Sequence, residues 1–252
     1  MMRHLLFGLA AIIEVSLPTA AQEYPSRSIT VVIPFPAGGT LDTILRTVQP
    51  KMEAALGQSI VVENKPGATG NIGNAYVAKS EPDGCTLLET ATNIGVFPHI
   101  FPKLNYDPLK DLVIIGGVAE TPRVCVVNAE GNIKTFAELL QTAQANPGSV
   151  SFGSAGAGAS SHLVVELIAQ LNHVTFTHVP YKGTAPMNND LLGGFITFIC
   201  TAVAGSTSLI QEGRFRPIAM ATTGRWPMLP DVPTLKELGF GDINDWTSYV
   251  LL

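Results

Sequence analysis

Short apolar runs alternate with amphipathic stretches along most of this chain. SITVVIPF (28–35) alternates little between apolar and polar positions and is rich in β-branched residues, the pattern of a buried parallel strand. It runs through PAGGTLD into a helical stretch, TILRTVQPKMEAALG, which Gly57 stops and which Pro50 is expected to kink or break. SIVVEN (59–64) predicts a second strand, KPGATGN a turn, IGNAYVAKS a short helix and CTLLETAT (85–92) a third strand. That β-α-β-α-β order predicts a parallel sheet flanked by helices. After a proline-rich irregular stretch (97–112), VIIGGVAE and RVCVVN (123–128) predict two more strands. A second series starts at Thr135: helix TFAELLQTAQAN, strand SVSF from Ser149, helix HLVVELIAQ from His162 and strand VTFTHVP (174–180). It continues with helix TAPMNNDLLGG, strand FITFICTAV (195–203), helix SLIQEGR and strand FRPIAMAT (215–222). Two such series predict two lobes of similar build, and the absence of a fixed-period repeat excludes a solenoid.

Each series holds one glycine-rich loop between a strand and a helix: PAGGTLD after VVIPF, and GSAGAGASSH after SVSF. Such loops bring bare backbone N–H groups to a helix start, where the helix dipole favours an anion. Open α/β sheets bind ligands at these carboxyl ends of their strands. Two facing loops can therefore clamp one anion from both sides.

Composition narrows the partners. The chain has 252 residues, 46% hydrophobic and 14% charged, with net charge −5, so it can bury a sizeable core and has no basic block for nucleic acid. At the N-terminus MMRH, the apolar run LLFGLAAII and PTAAQ resemble a secretory leader cut after Ala21, although Glu14 is unusual in such a core. The run is too short to span a bilayer. Export would separate the protein from cytosolic ATP and NAD. Cys85, Cys125 and Cys200 share no metal-ligand spacing and sit in apolar stretches, so they read as small buried hydrophobes, with a Cys85–Cys125 disulfide left open.

Other chemistries fit less well. Gly156, Gly158 and Ser161 approach a dinucleotide fingerprint, but no acidic residue follows near 176–184 to hold a ribose. The chain has no G-K-[ST] phosphate loop and no G-x-S-x-G nucleophile elbow. None of the histidines pair at helical zinc spacing, so neither cofactor nor metal is expected. Ser160 and Ser161 read first as caps of the helix from His162, and Asp42 reads equally as ligand contact or as cap of its own helix.

Several stretches in fixed order carry a resemblance. YPSRSITVVIPFPAGGTLD (24–42), VVENKPGATGNIG (61–73), EPDGCTLL (81–88), FPKLNYDPLKDL (101–112), FGSAGAGASSHL (152–163), HVPYKGTAP (178–186), DLLGG (190–194) and LPDVPTLKELGF (229–240) resemble the Bug-type periplasmic receptors of tripartite tricarboxylate transporters. The resemblance implies a two-lobed type II "Venus flytrap" fold. Residues 1–21 would be the signal peptide, 22–122 plus 223–252 lobe one, and 123–222 lobe two. It implies a non-enzymatic, monomeric periplasmic receptor that closes on a small carboxylate and delivers it to membrane permease subunits. The carboxylate would be held by backbone N–H groups, hydroxyls and water, without an obligatory arginine. Carried over by position, lobe one contributes Ala37, Gly38, Gly39, Thr40, Asp42, Thr90 and Asn93. Lobe two contributes Ser154, Gly158, Ala159, Ser160, Ser161, His162, Tyr181 and Thr201, with Lys182 nearby.

The chain departs from the family in three places. Thr201 stands where a pocket aspartate is expected, which predicts a ligand without an α-amino group. Glu89 replaces a small or apolar residue beside Thr90 and would repel anions if it faced the cleft. The chain ends at WTSYVLL where the family continues, so lobe one is expected to be incomplete, with an uncovered apolar end and reduced solubility or binding. Two other functions remain open: an exported hydrolase using Ser161 and His162, and a ligand sensor docking on a membrane kinase.

Overall fold

The computed structural model describes residues 24–252, so the expected leader and its cut after Ala21 lie outside the described residues. The chain opens with β1 (Ile29–Ile33), α1 (Thr40–Leu56), β2 (Ile60–Asn64), α2 (Asn71–Ala78) and β3 (Thr86–Ala91), the predicted order. β1 pairs in parallel with both β2 and β3, in the register Ile29 to Ile60 and Thr30 to Thr86. Gly57 ends α1 in the left-handed conformation its missing Cβ permits, with φ +67°, and its N–H reaches the carbonyl of Glu53. Helix α1 runs through Pro50 without a break, so of the kink or break expected there the break does not occur.

A short helix, α3 (Phe97–Ile100), leads to β4 (Gly116–Asn128). This is one strand of 13 residues where the sequence suggested two, and Thr121 and Pro122 lie inside it. The second series gives α4 (Phe136–Ala145), β5 (Ser151–Ser154), α5 (Ser160–Asn172), β6 (Thr177–Pro180), α6 (Thr184–Leu192), β7 (Phe198–Ala202), α7 (Thr207–Gln211) and β8 (Phe215–Met220). Thr135 caps α4 through Glu138 N–H, and the Glu138 carboxylate reaches back to Lys134 N–H, a reciprocal pair that fixes the helix start.

The chain returns as β9 (Trp246–Leu251), inserted between β3 and β4. The strands run β2-β1-β3-β9-β4-β7-β5-β6, with β8 also on β4. Pairing is parallel at both ends of this order and antiparallel around β4 and β9. Strand β4 divides its length: Gly116–Pro122 pair with β9, and Arg123–Asn128 pair with β7 and β8. The expectation of an uncovered apolar end is overturned, because Tyr249, Val250, Leu251 and Leu252 are all buried. An apolar end finds its cover when two sheet edges flank it.

Separate cores stand on either side of this division. Val31, Ile33, Leu45, Leu87 and Tyr249 share one cluster, and Phe136, Phe152, Ile168, Phe198 and Leu235 share another. Leu235 and Ile243 pack with the second cluster, so the segment after β8 stays with the second half until β9 crosses back. Cys125 and Cys200 face each other across β4 and β7 and form a disulfide, while Cys85 is free and buried. The open Cys85–Cys125 pairing is thereby excluded.

Candidate functional site

Both glycine loops end on helix starts that share one cavity. Its volume is about 70 Å³. From the first half come Gly39, Thr40 and Leu41 at the start of α1, with Phe35, Ala91 and Asn93 beside them. From the second half come Ala155, Ala159, Ser160 and Ser161 at the start of α5, and Thr184, Thr201 and Ala202. Arg123, Thr247 and Tyr249 close the floor from β4 and β9. The first turns of α1 and α5 carry backbone N–H groups with no carbonyl four residues back, so both ends present donors to whatever fills the space.

Seven of the residues expected at the site line this cavity: Gly39, Thr40, Asn93, Ala159, Ser160, Ser161 and Thr201. The others, Ala37, Gly38, Asp42, Thr90, Ser154, Gly158, His162 and Tyr181, are not among the lining residues. Asp42 turns back on its own loop, where its Oδ2 accepts from Gly38 N–H at 3.0 Å and from Arg46 Nε at 3.0 Å. Burial pushes the Asp42 carboxyl up, but the Arg46 and Gly38 bonds outweigh it and hold the group below the usual carboxylate range. Ala37 and Gly38 belong to the loop that Asp42 orders, and Thr90 is buried in β3 opposite Val250. Tyr181 donates to Asp190 at 2.8 Å.

Behind the second loop lies a stacked aromatic set. His162 and His178 have ring centroids 4.0 Å apart, and Phe152 stacks on His178 at 4.8 Å. Gly158 N–H donates to His162 Nδ1 at 3.2 Å, which places the neutral ring's proton on Nε2, facing Glu166. His178 Nε2 lies 2.6 Å from the Ser154 hydroxyl, and burial together with the His162 ring pushes its pKa down to about 4. Ser161 accepts from Ala155 N–H at 3.0 Å and stands two residues into α5, which begins at Ser160 rather than at His162. Neither serine caps the helix, whose N-cap is Ala159 with no side-chain bond. Ser161 ties the loop and Ser160 accepts from Arg123 Nη2 at 2.8 Å.

The glycines of this loop serve approach rather than phosphate. A Cβ on Gly156, at φ +131°, would stand 2.7 Å from Thr69 Oγ1, and one on Gly158, at φ +79°, would stand 2.8 Å from Ile100. The Thr69 hydroxyl donates to the carbonyl of Ala157 at 3.1 Å, bridging the first half to the second beside the cavity mouth.

Two charged residues acquire roles the sequence left open. Arg123 is 2% exposed, yet it is among the residues that line the cavity. Its Nε pairs with Asp245, Nη1 donates to the Cys200 carbonyl at 3.3 Å, and Nη2 donates to Ser160 and to Thr247 at 2.6 Å. A lone arginine opening an otherwise apolar strand is the only sequence signal that could have found it. Glu89 faces neither cleft nor solvent: it is fully buried, both carboxylate oxygens lack partners, and burial aided by Asp42 pushes its pKa up to about 8. It therefore stays largely protonated at pH 7 and is not among the lining residues, so the condition under which it would repel an anion is not met. Among the described residues no acidic side chain lines the cavity and no cluster of three or more metal-ligating side chains occurs.

Known proteins resemble this chain in sequence and fold. The family model described as "Tripartite tricarboxylate transporter family receptor" matches residues 44–252. A curated relative, "UPF0065 protein in tcbD-tcbE intergenic region" of Pseudomonas sp. (strain P51), is 38% identical over 238 residues, covering 93% of this chain and 70% of the relative. The solved periplasmic binding protein BugD superposes with TM-score 0.86 at 33% identity, over 90% of this chain and 76% of that one. The R. palustris protein Rpa4515, solved with adipate, superposes with TM-score 0.87 at 32% identity, over 91% of this chain and 77% of that one. The fold is that of periplasmic binding proteins, α/β with helices flanking the sheet.

Proposed function

This chain belongs to the tripartite tricarboxylate transporter receptor family, and from that premise we propose that it is a periplasmic receptor that captures a small carboxylate and hands it unchanged to the membrane permease of such a transporter. The observation that carries the reading is the cavity wall: two helix starts, several hydroxyls, one arginine and no carboxylate. The N–H dipoles at these helix starts and the Arg123 guanidinium favour an anion, while Asp42 and Asp245 stand outside the lining and offset part of that field. Rpa4515 with adipate supports a carboxylate as the cargo. A disulfide between Cys125 and Cys200 supports an oxidising compartment outside the cytosol. Among the described residues no helix is long and apolar enough to cross a membrane.

The two halves of the sheet act as lobes, and closure is a rotation absorbed where the chain crosses between them, near 122–125, after β8 and just before β9. The first lobe holds the α1 start and the second holds the α5 start, so ligand in the cavity touches both and favours the closed form. Hydrolysis through Ser161 and His162 is disfavoured: Ser161 accepts from Ala155 N–H, and His162 Nδ1 accepts from Gly158 N–H. A thermal-shift screen over mono-, di- and tricarboxylates tests the receptor reading. At least one acid should raise Tm and be recovered intact by NMR. Turnover of the acid would overturn the reading in favour of an enzyme. Capture of a sensor-kinase ectodomain rather than permease subunits would favour signalling over transport.

A further inference from the structure

The two helix starts of the cavity are not equivalent. The first turn of α1 carries the buried Asp42, whose Oδ1 has no partner and whose only cationic partner, Arg46, is more than half exposed. The first turn of α5 carries no acidic residue, and the Arg123 guanidinium stands 2.8 Å from its Ser160 hydroxyl. The negative charge of Asp42 offsets the positive end of the α1 dipole, whereas at α5 the Asp245 charge is matched by Arg123, leaving the helix dipole and the guanidinium N–H groups unopposed. An anion in the cavity is therefore drawn to the α5 side.

Hydrogen-bond accounting points the same way. A guanidinium has five N–H donors. Asp245 takes Nε–H, the Cys200 carbonyl takes one from Nη1, and Ser160 with Thr247 take those of Nη2. One Nη1 hydrogen is left without a protein acceptor, on a residue that lines the cavity. Ser160, as an acceptor from Arg123, keeps its own hydroxyl hydrogen for an acceptor in the cavity. The Ser160 and Ser161 backbone N–H groups of the first turn lie alongside. The four bonds also immobilise the side chain, so little rotamer freedom remains to be lost on binding.

We infer that Arg123 is the specificity-determining residue of this site: its guanidinium, fixed at the start of α5, takes a carboxylate group of the ligand directly. This inference rests on the carboxylate-receptor reading. It goes beyond that reading because backbone N–H groups and water alone would satisfy a carboxylate without an arginine.

The test uses calorimetry on the whole chain. Acetate, benzoate, succinate, adipate and citrate are titrated first, and the tightest binder is then compared with its uncharged amide in wild type, R123M and R123K. R123M should lose about 10- to 100-fold in affinity for the acid and less than about threefold for the amide, the scale of one charged hydrogen bond. R123K should keep the preference for acid over amide while binding the acid more weakly than wild type, because an ammonium cannot reproduce the fork. An unchanged acid-to-amide ratio in R123M overturns the inference and leaves the receptor reading standing. If R123M does not melt cooperatively, R123K decides: acid affinity equal to wild type overturns the inference. Failure of wild type to bind any of the acids overturns the receptor reading, and the inference with it.

Discussion

Replacing Glu89 by Gln should stabilise this protein at neutral pH, and by an amount that depends on pH. Glu89 lies in β3 opposite Leu251 of β9, fully buried, with neither carboxylate oxygen hydrogen-bonded. Burial raises its pKa from the ordinary glutamate value of 4.5 to about 8, with the Asp42 charge pushing the same way. In the unfolded chain the carboxyl ionises near 4.5, whereas the folded protein keeps it protonated until about 8. The folded pKa is the higher one, so the associated stability is fully present below about 4.5 and is lost as pH rises towards 8. At pH 7 the gap of about 2.5 pH units corresponds to roughly 3 kcal/mol, at about 1.4 kcal/mol per unit. Gln keeps the shape and does not titrate. For a chain of this size 1 kcal/mol moves Tm by about 2–4 °C, so E89Q should melt about 6–12 °C above wild type at pH 7. Near pH 4.5 the two should melt together. The assay is calorimetric melting of both proteins at intervals from pH 4.5 to 8. A Tm difference that stays constant with pH, or a variant less stable than wild type at pH 7, would refute the reasoning.

Three further outcomes follow from the same geometry. His178, whose pKa is pushed down to about 4, should destabilise the fold as pH falls from about 6.5 to 4, because the unfolded state binds its proton first; His178→Gln should flatten that limb of the melting profile. The disulfide between Cys125 and Cys200 closes a separation of 75 residues, so a Cys125→Ala, Cys200→Ala double variant should lose up to about 4 kcal/mol in denaturant unfolding, and equal midpoints would contradict the bond. Thr201 lines the cavity where an acid would meet the ligand's charge, so Thr201→Asp should weaken carboxylate binding roughly tenfold or more, and wild type should bind aspartate or glutamate less tightly than succinate by calorimetry.

Much of the fold is legible in the sequence because each element carries its own local signal. Strand β1 is β-branched throughout, α1 ends at Gly57, and the glycine loops mark the two helix starts. What the sequence hides is set by distant partners. WTSYVLL reads as a loose apolar end, and only the flanking edges of β3 and β4 make it an interior strand. VIIGGVAE and RVCVVN read as two strands because Pro122 separates them, yet β4 continues through it. Arg123 becomes a site residue through Asp245, Thr247 and Ser160, all 37 or more positions away. Gly156 and Gly158 suggest a phosphate cradle locally, but their reason lies in Thr69 and Ile100 of the other half. The hydroxyl and N–H donors of the site were thus readable, and the charge that gives it a direction was not.

The most direct test of the central claim is a crystal structure of the protein grown with the acid that binds most tightly by calorimetry. The account predicts density for one intact carboxylate in the cavity between α1 and α5, with oxygens about 2.7–3.2 Å from the first-turn N–H groups of α5 and from the Arg123 guanidinium. A cavity that stays empty at saturating acid, or an acid bound outside it, would contradict the account.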